Sequence, residues 1–139
     1  MELLPAMSIA ASGLTAERMR LDIIANNLAN VHTTRTAAGG PYRRQVPVFA
    51  ERLQEALRRE QAPGLGVQVA AIVQDATPPQ LIYDPAHPDA NGEGYVAMPN
   101  VNVVMEMVDM ITATRAYEAN VTVLNAAKAM TLQALQIGR

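Results

Sequence analysis

A chain of 139 residues, half of them hydrophobic and with a formal net charge of −2, holds one domain, or one domain with extended terminal arms. One Phe, four Tyr and no Trp leave few large anchors for a compact core, whereas Ala, Val, Leu and Met are plentiful, which suits close helix packing. The charge balance offers no broad basic face for nucleic acid, and the lack of cysteine excludes disulfides and thiolate chemistry.

The N-terminal segment carries Met7, Ala10, Leu14, Leu21, Ile24, Leu28 and Val31 on alternating steps of three and four. That spacing puts them on one stripe of a helix running from residue 5 to about residue 31, roughly 40 Å long at 1.5 Å per residue. Pro5 fits the first turn, Glu17 is a gap in the stripe, and Asn30 is a stop before Gly39-Gly40-Pro41. The chain opens without a basic region followed by an apolar run and a small-residue cleavage site, so no cleaved secretory signal is expected.

From Tyr42 to Tyr95 the period changes. Tyr42 to Phe49 reads as extended, with Pro47 placing it at an edge or bulge, and Glu51 to Gln61 as a short helix with Leu53, Ala56 and Leu57 on one face. Val67–Val73, Gln80–Tyr83 and Gly94–Met98 read as strands of a small antiparallel unit, separated by Pro- and Gly-rich turns.

Pro99-Asn100-Val101-Asn102 introduces a last helix, which either Asn can cap. Met107, Met110, Thr114, Tyr117, Val121, Leu124 and Leu135 mark its stripe, and nothing breaks the pattern before Gly138. A helix on the order of 35 residues, or about 50 Å, is too long for an ordinary globular helix and fits a coiled coil. Ala119 to Gly138 is its most apolar stretch, yet Lys128, two Asn and two Gln argue against a membrane span. The predicted fold is mainly α with a small β part. Long terminal helices pair as a coiled coil (residues 1–34 and 100–139) and a short antiparallel β unit (35–99) is inserted between them. An apolar stripe on a long helix needs a partner, so the arrangement speaks of assembly before chemistry.

The inventory for catalysis is thin. Ser8 and Ser12 lie inside the first helix, His32 and His87 are far apart, and no nucleophile elbow, zinc-helix motif or phosphate loop is present. His87 between Pro85 and Pro88, beside Asp84 and Asp89, could suggest a metal, but proline-stiffened turn is the simpler reading. Asp89 to Gly94 resembles the start of a calcium loop, yet the twelfth position holds Asn100 instead of a bidentate Glu. No metal and no cofactor is expected. Met105, Met107 and Met110, at helical spacing, read as packing residues.

Three segments together resemble the bacterial flagellar basal-body rod proteins. Ser12-Gly13-Leu14-Thr15-Ala16, followed by Leu21 to Asn30 with its Ala25-Asn26-Asn27-Leu28-Ala29-Asn30, looks like the N-terminal signature of axial proteins. Pro99 to Val104, Met107 to Ile111 and Arg115 to Asn120 are similar to their C-terminal helix. Tyr83-Asp84-Pro85-Ala86-His87-Pro88-Asp89-Ala90 and Gly94 to Pro99 narrow the resemblance to the proximal-rod subtype; His32 stands where the family pattern has Asn.

The resemblance implies a structural subunit, not an enzyme, whose paired terminal helices line a shaft that carries motor torque across the periplasm. It implies other rod proteins and the rod base at the MS ring as partners, and passage through the flagellar type III export apparatus without a cleaved signal. The residues expected at assembly interfaces are Leu14, Leu21, Ile24, Asn27, Leu28 and Asn30 on the first helix, and Met107, Met110, Ile111, Tyr117, Val121 and Leu124 on the last. Tyr83, Asp84, Pro85, His87, Pro88 and Asp89 form the subtype loop. The competing reading is a free-standing coiled-coil adaptor or export chaperone.

Overall fold

A computed structural model describes residues 3–52 and 66–137. In chain order the elements are α1 (Leu3–Ala29), β1 (Gln45–Glu51), β2 (Val67–Gln74), β3 (Gln80–Tyr83), β4 (Tyr95–Met98) and α2 (Val103–Ile137). The two long helices stand within one to two residues of their expected bounds. The short helix predicted over Glu51 to Gln61 lies outside the described residues from residue 53 on; Glu51 closes β1 and Arg52 follows it, its N–H donating to the Gly66 carbonyl.

The ends of the helices are set locally. Asn102 caps α2: its Oδ1 accepts the N–H groups of Val104 at 3.0 Å and Met105 at 3.2 Å. Asn100 is not the cap and joins elements instead. Its Oδ1 accepts the Arg44 N–H at 2.8 Å and its Nδ2 donates to the Thr77 carbonyl at 3.0 Å. At the end of α1 the Asn26 carbonyl accepts both the Asn30 N–H at 3.1 Å and the Asn30 Nδ2 at 2.9 Å, so the residue after the helix ties itself twice to the final turn.

The small antiparallel β part stands between the helices as expected, and consists of two two-stranded sheets, β1 with β2 and β3 with β4. Gln45 pairs with Gln74 and Glu51 with Val67, with the register shifting between Val48 and Phe49. In the second hairpin Gln80 pairs with Met98 and Tyr83 with Tyr95, whose rings meet edge to face at 5.3 Å. With two strands per sheet every strand is an edge, which tolerates Pro47.

Among the described residues α1 is the central element. It packs along α2 on one side and against β1 and β2 on another, while α2 packs on α1 alone. Ser12 fastens the hairpin to the helix: its Oγ donates to the Ile9 carbonyl at 2.7 Å and accepts the Val67 N–H at 3.1 Å. The preceding Gly66 has φ +99°, and any Cβ there would collide with Ser12 Oγ.

Candidate functional site

The helix pair is the feature that the rest of the molecule positions, and its contact stripe is a heptad repeat of small and polar residues. Along α2, Glu106, Ala113, Asn120 and Ala127 recur every seventh residue, with Met110, Tyr117, Leu124 and Thr131 four places after each; all eight are buried or half-buried. Along α1 the matching stripe is Ala10, Gly13, Glu17, Arg20, Ile24 and Asn27. Gly13 allows the closest approach, since a Cβ there would stand 3.0 Å from Asn120 Nδ2.

At one end of the stripe lies a buried polar node built from three parts of the chain. Asn27, 1% exposed, donates from Nδ2 to the Gln45 carbonyl at 2.9 Å and to Glu106 Oε2 at 3.1 Å. Its Oδ1 accepts the Gln45 N–H and the Tyr42 hydroxyl, both at 2.9 Å. One side chain thus closes the backbone edge of β1 and ties it to α2. Glu106 has no exposed surface, and its Oε1 accepts Arg44 Nε at 2.5 Å. The same guanidinium reaches Asp109 at 3.3 Å and Asp75 at 3.8 Å, and Arg20 reaches Asp109 from α1 at 3.5 Å. The Tyr42 hydroxyl is pushed above its ordinary pKa, first by burial and then by the charge of Glu106, so it stays a hydrogen-bond donor. A cleft of about 290 Å³, bounded by Ile24, Val46, Pro47 and Phe49 as well as the node, opens beside it.

The expected interface residues divide. Ile24 and Asn27 are buried inside the chain; Leu14, Leu21, Leu28 and Asn30 are half-buried, as are Met110, Tyr117, Val121 and Leu124. Met107 and Ile111 lie outward, 51% and 57% exposed, and so do Thr114 and Leu135. The apolar count placed the α2 stripe too far toward its large residues. Glu106, Ala113, Asn120 and Ala127 escaped it because three are small or polar and one is charged. Glu17, read as a gap, is a half-buried member of the α1 stripe beside Arg20. The signal that would have found them is strict seven-residue recurrence of small and polar residues.

The subtype loop is held by its own turns. Asp84 Oδ1 accepts the Ala86 N–H at 3.1 Å, and His87 Nδ1 accepts the Asp89 N–H at 3.1 Å. Tyr83, Pro85 and Pro88 are exposed. Asp89 reaches out of the loop: Oδ2 accepts the Thr34 hydroxyl at 2.8 Å and Oδ1 pairs with Arg35. These bonds, the Thr34 hydroxyl first, hold its carboxyl below the ordinary carboxylate pKa. Asn91 Oδ1 likewise accepts the Glu93 and Tyr95 N–H groups, so the oxygens suggestive of a calcium loop serve turns and cross-ties. Among the described residues no three His, Asp or Glu gather as a metal cluster, and no helix is long and apolar enough to cross a membrane.

Comparison with known proteins accounts for this arrangement. Residues 7–35 match the family "Flagella basal body rod protein", and residues 93–137 match "Flagellar basal body rod FlgEFG protein C-terminal". The chain is 50% identical to the flagellar basal-body rod protein FlgC of Borreliella burgdorferi, over 99% of this chain and 98% of that protein. It is 43% identical to FlgC of Bacillus subtilis, covering 96% and 97%, and 43% identical to FlgC of Salmonella typhimurium over the whole of both chains. Identity at this level along the entire chain, with the family matches falling on both helices of the pair, means that the chain belongs to the FlgC family of flagellar basal-body rod proteins.

Proposed function

We propose that the chain is a structural subunit of the proximal rod, joined to its neighbours through helix faces that its own fold leaves bare. The observation that carries this is the first third of α2. Val104, Met105, Met107, Val108 and Ile111 are each more than half exposed, although among the described residues the only element that α2 packs on is α1. So much apolar surface on a 35-residue helix needs a cover. In a stack of subunits the neighbours supply it, and contacts between unlike faces propagate as a helical tube rather than closing as a dimer. Lateral burial of this kind gives the stiffness a torque-bearing shaft needs.

Other rod proteins and the rod base at the MS ring are the partners in this reading. The chain reaches the basal body through the flagellar type III export apparatus. A chain with no cysteine suits such a route, since nothing in it can cross-link while extended. The role is structural rather than catalytic. A free-standing adaptor or chaperone fits less well, because family membership extends over the full chain.

The test separates the outer face from the inner one. Ile111→Asp should leave the isolated chain's helix content and melting unchanged, yet cells relying on it should build no hook and fail to swim. Ile24→Asp should fail earlier, by unpairing the helices. Normal swimming with Ile111→Asp would remove the outer face from the assembly.

A further inference from the structure

Two contacts fix how the helices are aligned: Asn27 meets Glu106, and Gly13 meets Asn120. Those positions are two heptads apart on each helix, so the antiparallel register is continuous between them. Most of the stripe does not specify it. Ala113 and Ala127 are both buried, identical and two heptads apart, and a slide of α2 by one heptad would set Gly13 against Ala127, another small residue. That slide has an apolar reward. The last turns of α2 extend beyond the start of α1, with Leu132 52% and Leu135 66% exposed, and the slide would draw them onto the first turns of α1. A slide the other way shortens the overlap and gains nothing.

The partly exposed Arg20–Asp109 pair also crosses the helices in the native register, but an ion pair open to solvent is worth little; what distinguishes that register is the fully buried carboxylate. Only there does Glu106 find Arg44 Nε on one oxygen and Asn27 Nδ2 on the other. In the slid register Ala113 would face Asn27, and the node would lose its acceptor. We propose that Glu106 is the register key of the helix pair: it sets the alignment of α2 on α1, and thereby which residues of α2 point outward, while adding little to the strength of pairing. A buried polar group used to fix alignment has this property in helical coils, where it selects one register over equally apolar alternatives. The partners of Glu106 are not stranded by its loss, since Arg44 retains Asp75 and Asp109 and Asn27 Nδ2 retains the Gln45 carbonyl.

The chain has no natural thiol, so two introduced cysteines report alignment alone. Ala25 and Ala129 are both exposed and lie far apart along the pair. Ala25→Cys and Ala129→Cys, spin-labelled in the full-length chain and diluted into unlabelled chain, should give one distance in pulsed electron resonance. Adding Glu106→Leu should keep the helical circular dichroism and produce a second population shorter by about 10 Å, seven residues at 1.5 Å each. A single unchanged distance in the Glu106→Leu chain would overturn the proposal. So would both distances in the chain with native Glu106, because alignment would then not be fixed. Loss of helix in the Glu106→Leu chain would overturn it too, since Glu106 would then supply stability rather than register.

Discussion

At the scale of single residues, Gly66 shows how a backbone conformation and a close contact can fix one position twice. Its φ of +99° suits glycine, and the space a Cβ would take belongs to Ser12 Oγ. Gly66→Ala should therefore cost about 1–3 kcal/mol of unfolding free energy, read from urea melts, and loosen the hairpin from α1. Asp89 gives a pH prediction. Its carboxyl titrates lower in the folded chain than in the unfolded one, so its contribution is present above the unfolded pKa and is lost as pH falls through the folded one. The carboxyl carbon of Asp89 should shift with a midpoint below that of an unstructured Asp, and Thr34→Val should move the midpoint upward. An identical midpoint in both chains would remove the Thr34 bond as its cause.

At the scale of elements, the ends of the helices were readable because capping is local chemistry. Asn102 and Asn100 were equal candidates from sequence, since both precede the same apolar run. The structure separates them by what lies across space: Asn100 is taken by Arg44 and Thr77, leaving Asn102 to meet the helix. Asn102→Ala should cost about 1 kcal/mol. The amides of Val104 and Met105 should exchange faster while those near Ala113 stay protected. The α2 stripe was harder to place. Large apolar residues at helical spacing point to an inward face, but this interface draws its closeness from Ala, Gly and Asn and sends Met107 and Ile111 outward. Periodicity finds the axis of a stripe only when size and burial agree, and along α2 they do not.

At the scale of the whole molecule, the thinness of the core is itself informative. Among the described residues the largest fully buried side chains are Glu106, Val96, Asn27 and Pro99, two of them polar. Such a chain leaves much of its apolar surface to be covered after assembly. Methionine oxidation offers a measurement. Met105 and Met107 should oxidise quickly in the isolated chain and be protected in purified basal bodies, while half-buried Met110 should change less. Equal oxidation of Met105 and Met107 in both states would mean that this face stays bare in the rod.

Two long helices, short strands broken by Pro and Gly, the absence of thiol chemistry and a family signature are legible along the chain, because each depends on neighbouring residues or on a repeat within one element. The pairing of the strands into two hairpins emerges only in the fold, because it depends on which edges meet. The fold also brings Tyr42, Arg44 and Gln45 from the loop and first strand onto Asn27 and Glu106. Those residues lie as much as 79 positions apart along the chain, and no local pattern marks a carboxylate as buried until the arginine that compensates it has been placed beside it.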